Sequence, residues 1–151
     1  MGDERRVVYG TSWRRHGARR QHAARLARML RPAAHVLGGL VSTELIVPFG
    51  GRWYRPDVGV LLTGDHPADG VLSCAPPLVV RLGDPLSGEA WLRAGARTVW
   101  ALEGGTVWQL TRGRRHALQA GQWLTHPDEP ALRMAASELA TEASRATRVA
   151  V

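Results

Sequence analysis

Asp65, His66 and Asp69 fall within five residues of one another, and side chains of these types can hold a metal ion. They lie in a polar stretch, 63–70, that reads as a solvated loop. The six histidines (16, 22, 35, 66, 116 and 126) show no His-Glu-x-x-His frame, so each is expected at the surface or at a strand end. Ser42, Ser73 and Ser87 lack the Gly-x-Ser-x-Gly frame of a hydrolase elbow. Gly38-Gly39 and Gly50-Gly51 lack the spacing and the strand-to-helix context of a dinucleotide fingerprint. Cys74 is the single cysteine, which excludes an internal disulfide and a cysteine zinc cluster. It flanks an apolar run and is expected to be a buried, inert thiol.

The cations say more. All 20 basic residues are Arg, and the chain has neither Lys nor Asn. That excludes a P-loop lysine, a Schiff-base lysine and a lysine-assisted nuclease site. Arg does not replace them as a base, because it stays protonated at any working pH. Residues 1–31 hold nine Arg against Asp3 and Glu4, a local charge of +7. The remaining 120 residues carry equal numbers of Arg and acids. The basic excess is therefore N-terminal, and such a block faces nucleic acid, an acidic protein or a membrane surface. Arg14, Arg15, Arg19, Arg20, Arg25 and Arg28 are the candidate phosphate contacts. Trp13 is the nearest aromatic for stacking, whereas Trp53, Trp91, Trp100, Trp108 and Trp123 are expected in or near the core.

These residues need elements to position them. Residues 1–13 read as irregular. Ala23, Leu26, Ala27 and Leu30 mark one stripe of a helix over 13–31, with the arginines mostly off the stripe and Pro32 as the stop. A strand is expected over 35–47, broken near Gly38-Gly39, and a turn over 48–51. Residues 58–62 and 78–82 are apolar without alternation, so both strands should be covered on two faces. A short helix over 88–94 ends at Gly95. Strands 97–102 and 106–110 join at Gly104-Gly105, a direct hairpin signal, and a short strand follows at 116–118. Residues 121–130 read as loop, 132–146 as a short helix, and 141–151 as a fraying tail. The order predicts one α/β or α+β domain over 14–140. No apolar run nears the roughly 20 residues of a membrane span. The N-terminus lacks a secretory core, so a cytoplasmic protein is expected.

Several of these segments form an ordered series. Arg55-Pro56-Asp57-Val58 opens one apolar strand, and Pro76-Pro77-Leu78-Val79-Val80 opens the next. Ala94-Gly95-Ala96-Arg97, Val99-Trp100, the Gly104-Gly105 turn and Trp108 follow, with Leu124, Leu132 and 136–139 in the tail. Over about residues 16–140 this resembles the Uma-two-type family of restriction-endonuclease-like proteins, within the PD-(D/E)XK nuclease superfamily.

The resemblance implies a mixed sheet flanked by helices. It also implies a carboxylate pair that holds Mg²⁺ and activates water for phosphodiester cleavage, with a lysine orienting that water. Asp57 matches the first carboxylate. Arg81 stands where the second belongs, and no lysine is available. An Asp57–Arg81 ion pair filling the metal position is the expected outcome. Glu44 and Asp84 are the candidates for a migrated ligand.

Three readings follow. The first is a nuclease fold with a degraded site, needing no cofactor and binding nucleic acid or another anion through its Arg-rich helix. The second is an active Mg²⁺-dependent endonuclease using Asp57 with Glu44 or Asp84. The third is a scaffold for a protein partner or for self-association, pairing through an edge at 78–82 or 97–110.

Overall fold

The unbroken apolar runs become the middle of a sheet. In the computed structural model, β2 (Leu40–Ser42), β5 (Val58–Leu61), β6 (Leu78–Arg81), β7 (Thr98–Glu103), β8 (Thr106–Thr111) and β9 (Arg114–Leu118) form one six-stranded sheet in that order. β6 and β7 run parallel, and the other pairs are antiparallel. The parallel pair needs a crossover, which α2 (Gly88–Arg93) supplies. α1 (Trp13–Val36) and α3 (Ala136–Arg148) pack together on one face, and α2 packs on the other. Val58, Val60, Leu78, Val80 and Trp100 point into the α1/α3 core, while Val79, Val99, Ala101 and Leu110 point toward α2. Burial on two faces is why β5 and β6 show no alternation. The whole is a mixed α+β domain.

Two small sheets complete it. β1 (Val7–Val8) pairs parallel with β4 (Arg52–Tyr54), which pairs antiparallel with β3 (Val47–Phe49). β10 (Trp123–Thr125) and β11 (Arg133–Ala135) form an antiparallel pair ahead of α3. The structure describes residues 7–8, 13–62, 67, 69–83 and 85–148, with side chains excluded for 7–8, 13–18 and 146–148. Among these residues no helix is long and apolar enough to cross a membrane.

Several expectations are corrected. α1 does not stop at Pro32 but runs one turn further. Its stop is Gly38, at φ +73°: Gly39 N–H donates to Ala34 O at 2.8 Å, and Gly38 N–H to His35 O at 3.0 Å. That is the glycine-ended cap of a helix C-terminus, and it overrides a proline that removes one hydrogen bond near the end. The strand expected over 35–47 shrinks to β2, because its first half is the last helical turn and this cap. β10 lies inside the stretch read as loop, and β11 occupies the start of the expected C-terminal helix. α3 continues to Arg148, past the tail boundary placed at 141. Segments 78–82 and 97–110 are interior strands, so the free edges of the main sheet are β2 and β9. Cys74 is exposed rather than buried, and Trp123 is about half exposed. His22 is buried inside α1, against the expectation of a surface or strand-end histidine, while His126 stands at the end of β10 as a strand-end histidine and is buried there.

Candidate functional site

Asp57 stands at the mouth of β5, just after Pro56 and one step beyond the last register pair, Val58 with Val80. The chain leaving β6 passes beside it. Leu82 N–H and Gly83 N–H both donate to Asp57 Oδ2, at 2.8 and 3.1 Å. Arg19 Nε lies 2.9 Å from Asp57 Oδ1, and Arg19 Nη1 donates to Gly83 O at 2.9 Å. Asp57 thus ties α1 to the ends of two strands. Both side chains are close to buried, at 11% exposed for Arg19 and 6% for Asp57.

The expected Asp57–Arg81 pair is therefore replaced. Asp57 turns its oxygens toward α1, where a guanidinium and two amides meet it. Arg81 leaves on the opposite face: its Nε donates to Leu86 O at 2.6 Å and its Nη1 to Glu103 Oε1 at 3.1 Å. Glu103 continues to Arg115 Nη2 at 3.0 Å, and Arg115 Nη1 reaches Glu89 at 2.9 Å while stacking over Trp108. Arg81 belongs to this chain of alternating charges, which ties β6, β7 and β9 to α2.

Glu44 is exposed and pairs with Arg20, and with Arg55 at 3.4 Å. Asp84, Asp65 and His66 lie outside the described residues, and Asp69 is exposed, its Oδ1 accepting from Val71 N–H at 3.1 Å. Arg19, Arg20, Arg55, Thr43 and Asp57 line a narrow cleft between α1 and the sheet. Its three guanidiniums outnumber Asp57 and Glu44, so the cleft is cationic.

This donor set does not suit Mg²⁺. A hard divalent cation needs several oxygens in near-octahedral order. Here Asp57 Oδ1 faces a guanidinium and Oδ2 accepts two amides. Among the described residues no group of three or more His, Cys, Asp or Glu could hold a metal ion.

The Arg-rich helix divides. Arg19 faces inward, and the sequence carried the signal: it precedes Ala23, Leu26 and Leu30 by four, seven and eleven residues and so lies on the apolar stripe. Arg20, Arg25 and Arg28 face outward. The side chains of Arg14 and Arg15 lie outside the described residues. Sequence reasoning also missed His22, whose Nδ1 stands 2.5 Å from Glu142 Oε2 of α3, both nearly buried. His22 shares the stripe's edge with Leu26, four residues on.

No family model matches the chain, and no curated protein matches it. A solved structure does: the crystal structure described as "a putative nuclease belonging to DUF820" from Anabaena variabilis ATCC 29413. The TM-score is 0.65 at 15% identity, over 89% of this chain and 85% of that one. The chain shares that protein's nuclease-like fold. The neighbour is of the Uma-two type, in keeping with the resemblance drawn from the strand openings. At this identity the likeness speaks for the architecture and leaves the chemistry to the residues.

Proposed function

We propose that this chain is a nuclease-fold protein that binds nucleic acid through α1 and does not cut it. The observation that carries this reading is the Arg19–Asp57 pair. A fixed guanidinium stands against the carboxylate that the resembling nucleases use for a metal ion, so the charge balance at Asp57 is met from within. With Arg81 in place of the second carboxylate and no Lys in the chain, hydrolysis has neither its ion nor its lysine. No cofactor is required, and Mg²⁺ enters only under the rival enzyme reading. That reading has Glu44 committed to Arg20 and Arg55.

What the fold offers instead is a cationic helix. Arg20, Arg25 and Arg28 are placed to meet backbone phosphates, and Arg14 and Arg15, which precede them in the sequence, are proposed as further contacts. Such contacts position a nucleic acid without reading its sequence. The proposed setting is cytoplasmic.

The test is fluorescence anisotropy with labelled duplex DNA and RNA across a salt series, run beside a plasmid-nicking assay with Mg²⁺ or Mn²⁺. Binding that weakens steeply with salt, and no nicking, is expected. Nicking that Asp57→Ala abolishes would establish the enzyme instead. A dimer that ignores both nucleic acids would favour a protein scaffold.

A further inference from the structure

The pairing of arginines changes along α1. Arg19 meets Asp57, Arg20 meets Glu44, and Arg25 Nη1 stands 3.9 Å from Glu142. Beyond Arg25 the pattern stops. Among the described residues Arg28 and Arg31 have no acid partner, and both are exposed. They are three residues apart and so neighbours on one helix face, where like charges repel. His35 follows one turn later.

All three line a pocket of about 420 Å³ between the end of α1 and the edge strand β2. Pro32 adds an apolar ring to the helix side, and Leu40 and Val41 make the apolar β2 side. A volume in this range suits a small organic ligand rather than a bare ion. The negative pole of the helix is blunted here, because the Ala34 and His35 carbonyls accept hydrogen bonds from Gly39 and Gly38.

We infer that this pocket binds a phosphomonoester of nucleotide size. A phosphomonoester carries close to two negative charges and three strong acceptor oxygens. Two guanidiniums on one helix face match it in charge and in fork geometry, and the anion removes their mutual repulsion. His35 adds a ring N–H. The ring of the ligand covers Pro32 and Leu40, which an inorganic anion would leave bare. Among the described residues β2 is an edge strand of the main sheet, beside the pocket. This goes beyond the duplex-binding reading: it shares Arg28 with that reading and adds Arg31 and His35, which that reading does not use.

The phosphate could belong to a free nucleotide or to the 5′ end of a strand, and one titration series separates them. Adenosine 5′-monophosphate, adenosine, and a short oligonucleotide with and without a 5′-phosphate are titrated into the full chain by calorimetry. The monophosphate is expected to bind at least tenfold tighter than adenosine. Arg31→Ala with His35→Ala should weaken it at least tenfold, while Arg20→Ala with Arg25→Ala should leave it unchanged. A phosphorylated oligonucleotide that outbinds both the monophosphate and its own unphosphorylated form assigns the site to strand ends, and a 5′-phosphate that adds nothing to the oligonucleotide assigns it to nucleotides. Equal binding of adenosine and its monophosphate, no binding of either, or indifference to the Arg31/His35 variant overturns the inference. So does displacement by a glutamate-rich peptide at equal affinity. Duplex binding is read separately, so failure there leaves this result standing.

Discussion

The Arg19 guanidinium holds the Asp57 carboxylate at 2.9 Å and the Gly83 carbonyl at the same distance. One side chain of α1 thereby closes a ring through the mouth of β5 and the end of β6. The ring is closed by one ion pair and by hydrogen bonds through Leu82 N–H, Gly83 N–H and Gly83 O. Asp57 acts as an anchor for backbone and helix.

Arg19→Ala should therefore cost stability rather than activity. Removing one partner of a nearly buried pair leaves the Asp57 carboxylate without its facing guanidinium, and losses of about 3 kcal/mol are typical. Arg19→Lys should recover part of this, because it restores charge without the second hydrogen bond to Gly83. Urea unfolding of the three proteins measures it. A loss below about 1 kcal/mol would mean the pair behaves as an exposed one.

Metal should be irrelevant to the wild-type protein. A ligand that binds only the folded state raises the melting temperature by mass action. Thermal unfolding with millimolar Mg²⁺ or Mn²⁺, and with a chelator, should give one midpoint. A rise with metal that disappears in Asp57→Asn would show that the cation competes with Arg19 after all.

Much of the architecture was legible because burial writes itself into strands. The unbroken runs at 58–62 and 78–82 marked the two-faced centre of the sheet, and Gly104-Gly105, at φ +58° and +79°, marked a hairpin. What stayed hidden was long-range. Nothing local says that Asp57 meets a residue 38 positions earlier rather than its strand neighbour Arg81. The helix stop at Pro32 failed because tertiary burial of Ala34 rewards one more turn. β10 and β11 are three residues each, too short to show a period. Arg19 and His22 were legible in principle, since helical phase places both against the core.

The His22–Glu142 contact should be a clasp between α1 and α3. Arg25 and Arg145 stand at 3.9 and 3.8 Å from the same carboxylate, so Glu142 gathers charge from both helices. A double-mutant cycle with His22→Ala and Glu142→Gln should give a coupling of about 1–3 kcal/mol, as for residues in one buried network. Additive single effects would show that the two side chains pack without interacting.

Acid should destabilise the protein through His126. Burial pushes its pKa down, against the opposing pull of the Asp128 and Glu129 carboxylates. Its Nδ1 accepts from Asp128 N–H at 3.1 Å, which leaves the proton on Nε2, a buried atom without a partner among the described residues. The unfolded chain binds a proton near pH 6.5 and the folded chain only at lower pH. The stabilisation is thus complete above about pH 6.5 and is lost as pH falls toward the folded value. His126→Asn keeps an acceptor for the Asp128 amide and removes the titration. Unfolding free energies between pH 7.5 and 5 should fall less for the variant than for the wild type; parallel curves would assign the acid sensitivity elsewhere.

Salt decides the nucleic-acid reading, because counterion release counts phosphates. Each phosphate neutralised on duplex DNA contributes about 0.9 to the slope of log affinity against log salt. Contacts from Arg20, Arg25 and Arg28 alone predict a slope of roughly −3, steeper if Arg14 and Arg15 join. Arg28→Ala should weaken binding uniformly across sequences and lower the slope by about one. Arg19→Lys should leave the slope unchanged, because Arg19 is turned inward to Asp57 and has no phosphate to meet. Equal slopes for wild type and Arg28→Ala would place the contact surface off this face of α1. A lower slope for Arg19→Lys would mean that nucleic acid pulls Arg19 away from Asp57, coupling binding to the ring that holds the site shut.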